Sequence, residues 1–141
     1  MMNEKAQVLV VEDSRSNSEL ICSILRATSE ITPHQAFTGE EALEFMERAR
    51  PDLIVLDVIM PGISGFEVCK QLKANPSLRD IPVIFVTARA AVEDVVEGLN
   101  MGAVDYVAKP IIPEILEARG RAHLALSFYK EHLKTLAHND A

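Results

Sequence analysis

The stretch LIVLDVIMPGISG, residues Leu53–Gly65, decides the fold of this chain. Its first four residues, Leu53–Leu56, are all apolar, as in a parallel strand that is buried on both faces. Asp57 follows this run directly, and a turn segment comes next. Ser64 stands three residues before Glu67, a capping pattern that predicts the start of a helix. The stretch therefore predicts a buried strand with a carboxylate at its end, then a loop that leads into a helix.

Similar apolar runs recur along the chain. The further candidates for strands are Val8–Val11, Ile81–Val86 and the weaker Ala36–Phe37 and Val104–Val107. Segments with helical spacing of apolar residues separate them. The capping pattern recurs in two of these segments, at Thr38–Glu41 and Ser16–Glu19. Five strands that alternate with five helices predict an α/β fold, in which a parallel sheet carries helices on both faces through right-handed crossovers.

Composition limits the function. The 141 residues are 48% hydrophobic and 25% charged, as expected for one soluble domain. The net charge of −7 argues against direct binding of nucleic acid or of an anionic membrane. Cys22 and Cys69 are too few for a disulfide framework. Because no apolar run reaches transmembrane length and Met1–Gln7 lacks a signal-peptide core, we predict a cytoplasmic protein.

The residues that follow the predicted strands are chemically distinctive. Ligands of an open parallel sheet bind beyond the carboxyl ends of its strands. Glu12 and Asp13 follow the first strand, and Asp57 follows the third. Thr87 and Lys109 occupy the corresponding places after the last two strands. Three carboxylates, a hydroxyl and an ammonium are therefore expected to share one edge.

Three carboxylates in one cleft need positive charge beside them. Two such charges about 4 Å apart repel by roughly 4 kcal/mol at an effective dielectric near 20. Lys109 supplies one positive charge, and oxygen ligands favour a hard cation such as Mg²⁺ for the rest. A cation, a carboxylate, a hydroxyl and an ammonium are the parts of a phosphoryl-transfer site. Asp57 is the candidate nucleophile that would form an aspartyl-phosphate, and Thr87 would hydrogen-bond a phosphoryl oxygen.

Four motifs in this order and spacing resemble the receiver domain of bacterial two-component response regulators. The motifs are VLVVED (Val8–Asp13), LIVLDVIMPGISG (Leu53–Gly65), VIFVTA (Val83–Ala88) and GAVDYVAKP (Gly102–Pro110). The resemblance covers residues 7 to about 124. It implies a flavodoxin-like, doubly wound, five-stranded parallel sheet with strand order 2-1-3-4-5. It also implies a phosphoprotein that works in a bacterial phosphorelay.

The resemblance gives the site residues their roles. Asp57 would accept a phosphoryl group from the phosphohistidine of a sensor histidine kinase or a phosphotransfer protein. Mg²⁺ would be held directly by Asp13, partly through water by Glu12, and also by Asp57 and the backbone carbonyl of Ile59. Lys109 would contact the phosphoryl group. The peptide bond between Lys109 and the following proline is expected to be cis.

The family resemblance also implies a conformational switch. Thr87 would move toward the phosphoryl group, and Tyr106 would turn inward as it does so. The face between residues 87 and 106 would then control partner binding, dimerisation or a downstream effector domain. Ile111 stands where the family often has phenylalanine. Arg89 lies at a position that tunes loss of the phosphoryl group in such domains.

Three other functions are alternatives to this one. A degenerate receiver would act as an interaction module without phosphorylation. A phosphohydrolase of the haloacid dehalogenase type is a more distant alternative, because it needs a second aspartate where Ile59 stands. A flavodoxin would need a hydroxyl-rich phosphate loop where Glu12 and Asp13 occur. The prediction is a signalling domain that catalyses only its own phosphorylation and dephosphorylation, and is not otherwise an enzyme.

The last segment has a heptad pattern. Apolar residues and one arginine are spaced by four and three positions: Ile115, Arg119, Ala122, Leu126, Tyr129, Leu133 and Leu136. We call this set the seam. Such spacing is typical of a coiled coil. We predict a receiver domain at 1–124 and, at 125–141, an extension of the last helix that serves as a coiled-coil linker or joins two chains as a homodimer.

Overall fold

The computed structural model describes residues 5–28, 30–88 and 92–139. In these ranges, strands and helices alternate as predicted. The strands are β1 (Ala6–Val11), β2 (Ile31–Ala36), β3 (Leu53–Asp57), β4 (Val83–Thr87) and β5 (Asp105–Ala108). The helices are α1 (Arg15–Arg26), α2 (Gly39–Arg48), α3 (Gly65–Ala74), α4 (Val92–Asn100) and α5 (Pro113–Asn139).

The five strands form one sheet in the order β2-β1-β3-β4-β5, and every neighbouring pair is parallel. Side chains of α1 and α5 share one apolar core, and those of α2 and α3 share the other. The sheet therefore carries helices on both faces. This confirms the doubly wound fold and the strand order that the resemblance implied.

The central strands divide their side chains between the two cores. Val8 and Val10 of β1 join the core beneath α1 and α5. Leu9 and Val11, which point the other way, join the core beneath α2 and α3. All five residues of β3 are buried. A strand that is covered on both faces must be apolar at successive positions, which is why Leu53–Leu56 was a clear signal.

The position of β2 was predicted wrongly, because only Ala36 of the proposed Ala36–Phe37 run belongs to it. This strand lies at the edge of the sheet, and its four middle residues are half-buried. An edge strand needs no continuous apolar run. It also tolerates Pro33, since one side of the strand has no neighbour that needs a backbone donor.

Other boundaries shift by one or two residues. Both β4 and β5 begin later and end one residue later than their apolar runs. Thr38 and Ser64 cap α2 and α3 by accepting hydrogen bonds from Glu41 N and Glu67 N. The prediction for Ser16 was wrong, because Ser14 is the residue that caps α1.

The last helix is 27 residues long and changes character along its length. Leu116, Gly120 and Leu124 are buried against the domain. Farther along, Leu126 and Leu133 are each 48% exposed. The seam thus lies on an exposed side of α5, and of its members only Leu136 has a side chain outside the described part. No helix among the described residues is long and apolar enough to cross a membrane.

Gly65 allows α3 to begin directly beside the end of β3. Its amide donates a hydrogen bond of 2.8 Å to the carbonyl oxygen of Val58. A Cβ atom at this position would lie 2.2 Å from the carbonyl oxygen of Asp57, well inside contact distance. The absence of a side chain is therefore a condition for the close approach of α3 to the strand end that carries Asp57.

Replacing Gly65 by alanine is expected to lower the free energy of unfolding by about 1–3 kcal/mol, because the added methyl group collides with backbone. Gly120→Ala is the matched control. A Cβ atom there would meet its nearest neighbours at 3.9 Å, an ordinary contact. That variant should gain up to about 1 kcal/mol from helix propensity. Chemical denaturation measures both changes, and equal stabilities would contradict the close approach.

Candidate functional site

The carboxyl ends of the strands bring the predicted site residues together. Glu12 follows β1, Asp57 ends β3, and these two strands are neighbours in the sheet. Thr87 ends β4, and Lys109 follows β5. The backbone N–H of Lys109 donates a hydrogen bond of 2.9 Å to the carbonyl oxygen of Thr87. This bond holds the segment after β5 beside the end of β4.

The three predicted carboxylates form one cluster. Glu12, Asp13 and Asp57 each offer an oxygen, and these oxygens all lie within 4.8 Å of one another. Glu12 and Asp57 are buried, with 1% and 4% of their surface exposed, whereas Asp13 is exposed. The cluster therefore has two carboxylates in its wall and one at its mouth.

Lys109 lies between the two buried carboxylates. Its Nζ is 3.0 Å from Glu12 Oε1 and 3.3 Å from Asp57 Oδ2. Burial disfavours its charge, but the negative charges of Glu12 and Asp57 beside it outweigh burial, so the pKa of Lys109 is raised above its usual value. The ammonium therefore stays charged. One positive charge still faces three carboxylates.

Glu12 shows the cost of this imbalance. Burial, with the nearby charge of Asp57 as a smaller cause, raises the pKa of its carboxyl above the usual value. A hydrogen bond from Ser14 N to Glu12 Oε2 and the contact with Lys109 oppose that rise. Because the net result is a raised pKa, the groups of the protein do not fully compensate the buried charge of Glu12.

The carboxylate of Asp57 is held from two sides. Its Oδ1 accepts a hydrogen bond of 3.2 Å from the backbone N–H of Ile59, and its Oδ2 faces Lys109. The peptide bond from Lys109 to Pro110 is cis, as the resemblance implied. The side chain of Ile59 is 51% exposed beside this site.

Tyr106 lies on β5, which β4 separates from the strand that carries Asp57. It is half-buried and lines a small apolar cavity together with Thr87, Phe85 and Leu99. Its carbonyl oxygen accepts a hydrogen bond from Arg119 of α5. The guanidinium carbon of Arg119 also lies 5.8 Å from the centre of the Tyr106 ring. The two residues predicted to act as a switch thus border one cavity.

The donor set suits a hard divalent cation. All of its ligand atoms are oxygens, which Mg²⁺ prefers. Buried Glu12 Oε1 makes no hydrogen bond among the described residues, since the 3.0 Å contact with Lys109 is an ion pair without hydrogen-bond geometry. A bound cation would give this buried oxygen a further partner. Glu12, Asp13 and Asp57 are the side chains that would hold the ion.

Sequence reasoning missed two residues that shape the site. Gly65 permits the close packing at the end of β3, and a glycine at the first position of a predicted helix was a usable signal. Arg119 was assigned only to the seam, yet it also binds the backbone of Tyr106 and lies 3.8 Å from Asp105. No local pattern links Arg119 to β5, because the contact depends on tertiary structure. Arg89 lies outside the described residues.

Comparison with known proteins gives consistent results. A family profile for the response regulator receiver domain matches residues 8–121. The chain is 43% identical over 117 residues to the transcriptional regulatory protein AfsQ1 of Streptomyces coelicolor, covering 83% of this chain and 50% of that protein. It is 42% identical over 118 residues to the response regulator PleD of Caulobacter vibrioides, covering 83% of this chain and 26% of PleD.

Solved structures show the same likeness. The chemotaxis response regulator CheY4 of Vibrio cholerae superimposes with a TM-score of 0.79 at 31% identity, covering 84% of this chain and 98% of CheY4. The chain therefore matches nearly the whole of that structure. In contrast, it spans half the length of AfsQ1 and about a quarter of PleD.

Adding Mg²⁺ to the metal-free protein is expected to raise its free energy of unfolding, by about 1.4 kcal/mol when the ion is at ten times its Kd. Asp13→Asn removes the carboxylate at the mouth of the cluster, so the gain should shrink at the same Mg²⁺ concentration. Glu44→Gln, on the exposed side of α2, should keep the full gain. Denaturation curves with Mg²⁺ and with EDTA measure this. An equal gain in Asp13→Asn would contradict the assignment.

Proposed function

The chain belongs to the response regulator receiver domain family, and from that premise we propose that Asp57 is its phosphoryl acceptor. It is a receiver domain of the two-component type. The proposed donor is the phosphohistidine of a sensor histidine kinase or a phosphotransfer protein. The proposed effect is a change in the face between Thr87 and Tyr106. The proposal keeps the cytoplasmic location predicted from the sequence.

One observation carries the proposal. The buried carboxylate of Asp57 lies at a strand end with one oxygen on a backbone N–H and the other 3.3 Å from the ammonium of Lys109. These contacts hold its rotamer, so the carboxylate is oriented before any donor arrives. A nucleophile that is already oriented avoids much of the entropic cost of reaction.

The chemistry is a simple exchange of bonds. An oxygen of Asp57 bonds to phosphorus while the bond from phosphorus to the imidazole nitrogen of the donor breaks, and that nitrogen leaves with the bonding electrons. Lys109 stabilises negative charge on the transferring group through its fixed ammonium. Thr87 supplies a hydroxyl at the end of the neighbouring strand. Mg²⁺, when bound, supplies the further positive charge that phosphoryl transfer needs.

Phosphorylation would change the balance of contacts at this edge. The added group carries close to two negative charges and strong acceptor oxygens. Lys109 would then divide its contacts between that group and Glu12, and the Thr87 hydroxyl would gain an acceptor. The backbone of Thr87 is tied to that of Lys109, and its side chain borders the same cavity as Tyr106. These links support transmission of the change toward β5.

The partner that reads this change is a separate proposal. The names of the relatives describe transcriptional regulators and response regulators that are at least twice as long as the matched region. We therefore propose that the domain controls a partner or an effector rather than a substrate. The family supports a signalling role, and the catalysis proposed here is limited to the phosphorylation and dephosphorylation of the domain itself.

The seam on α5 supports self-association as one form of output. Leu126, Tyr129 and Leu133 are 48%, 62% and 48% exposed. Apolar residues of this size at heptad spacing stabilise coiled coils when a second helix covers them. From Glu114 to Ala141 the chain has four basic and four acidic residues, so no net charge opposes the pairing of two copies. We propose that two chains pair along this seam.

Incubation with acetyl phosphate and Mg²⁺ is expected to add one phosphoryl group per chain, detected by native mass spectrometry. Asp57→Asn should take up none. Lys109→Met should react on the order of 10²-fold more slowly, because a fixed positive charge is lost. Lys70→Met, on the exposed side of α3, should react at the unchanged rate. If the native chain takes up nothing, a phosphorylation-independent interaction module becomes the better description.

Alanine in place of Leu126 or Leu133 is expected to weaken the dimer at least tenfold, since truncating a buried leucine costs about 2 kcal/mol or more. Phe128→Ala is the matched control. Phe128 is also 48% exposed, but it lies on the opposite side of the helix from Leu126. Analytical ultracentrifugation with and without acetyl phosphate measures the dimer. A native chain that stays monomeric in both conditions would rule out pairing along the seam.

A further inference from the structure

A second site lies at the opposite end of the sheet from Asp57. It is an open cleft of about 200 Å³. Its wall combines Lys73 near the end of α3, the segment Arg79–Pro82 before β4, Val104 before β5, and part of α5 from His123 to Lys130. We call it the basal cleft. One wall belongs to the body of the domain, and the other belongs to the part of α5 that leads into the exposed extension.

The basal cleft concentrates positive charge. Lys73, Arg79 and Lys130 line it, and Asp80 is the only acid among the described residues that do so. Asp80 is already engaged, because its Oδ2 lies 3.1 Å from the ammonium of Lys134. The hydrogen bond and charge of Lys134 lower the pKa of Asp80, and the nearby arginines lower it further. In a chain of net charge −7, this is a local excess of cations.

His123 does not reverse this balance. Its Nε2 lies 3.1 Å from Asp105 Oδ2, so the carboxylate that approaches this imidazole belongs to β5. Asp80 and Asp105 are thus each paired with a basic group of α5. The cations on the body side, Lys73 and Arg79, have no such carboxylate bound to them in the hydrogen bonds and ion pairs of the described residues.

Lys73 is held in place before any ligand arrives. Its Nζ donates to the carbonyl oxygens of Arg79 and Ile81 at 2.9 and 3.1 Å. These bonds use two of its three N–H groups. Its stem passes under Gly102, where a Cβ atom would lie 3.0 Å from Lys73 Cε. Burial is the main cause that lowers the pKa of this ammonium. A fixed, partly desolvated donor binds an anion with less loss of entropy than a mobile surface lysine.

The floor of the cleft is apolar. Ile81, Pro82, Val104 and Leu126 line it, and the last two are 40% and 48% exposed. The volume is below the 300–1,000 Å³ that is typical of sites for drug-sized ligands. A ligand of this cleft would be small and anionic, with room for an apolar group beside its charge.

We propose that the basal cleft binds a phosphate dianion, either free phosphate or the phosphate group of a small monoester. The anion would lie between Lys73 and Arg79 on the body and Lys130 on α5. It would thereby add to the Lys134–Asp80 contact that already links this part of α5 to the domain, and would help to fix the direction of the helix. The site uses none of the residues proposed for chemistry at Asp57, so it stands or fails independently of that function.

The test is an NMR titration of the ¹⁵N-labelled chain with sodium phosphate, in Mg²⁺-free buffer of constant ionic strength. Saturable shifts of backbone amide signals are expected at residues 79–81, 104 and 123–130. Lys130→Gln should lower the affinity about fivefold, as for loss of one exposed ionic contact. Lys70→Gln, an exposed lysine of α3 outside the cleft, should leave it unchanged.

Two further titrations identify the source of the phosphate. Adenosine 5′-monophosphate that binds more tightly than phosphate supports a monoester, and equal or weaker binding of the monophosphate supports free phosphate. Adenosine that binds as tightly as its monophosphate would overturn the proposal, because the phosphate group would then contribute nothing. Shifts that do not saturate, that centre on residues 12–13 and 57–59, or that are equal in Lys130→Gln and Lys70→Gln would also overturn it.

Discussion

The structure depends on burying two carboxylates beside a single ammonium. Glu12 and Asp57 are brought together because β1 and β3 are neighbours and end at the same level. Lys109 reaches both from β5, two strands away. The cluster is negative overall and keeps an oxygen without a hydrogen bond among the described residues. A further cation such as Mg²⁺ would relieve this imbalance, which the fold maintains and does not itself relieve.

The packing explains why the fold tolerates such a site. Two apolar cores enclose β1, β3 and β4, so the strands are fixed along most of their length and only their ends carry polar groups. The polar residues are thus held by a framework that does not rely on their mutual attraction. Gly65 shows how closely the framework approaches the site, since α3 begins against the backbone of Asp57.

The sequence predicted those features that depend on burial and on position along the chain. Residues on covered strands must be apolar, and residues at strand ends meet at one edge, so β3 and the cluster around Asp57 were both accessible to reasoning. The edge strand β2 was misplaced because partial exposure removes the apolar signal. Contacts between elements that are distant in sequence could not be predicted, for a different reason. The bond from Arg119 to Tyr106 and the joining of Lys73 to the loop before β4 depend on how helices cross the sheet.

The length of α5 has a mechanical consequence. From Leu124, the last buried residue of α5 among those whose burial is described, the helix continues for 15 residues to Asn139, about 22 Å at 1.5 Å per residue, and along this length Lys134 is paired with Asp80 of the domain. Over this length, a tilt of about 10° at the base of the helix would move its far end by about 4 Å. Small repacking around Arg119 would thus become a displacement comparable to one side chain. The length of α5 would therefore turn a small change in tilt at its base into a larger displacement at its end.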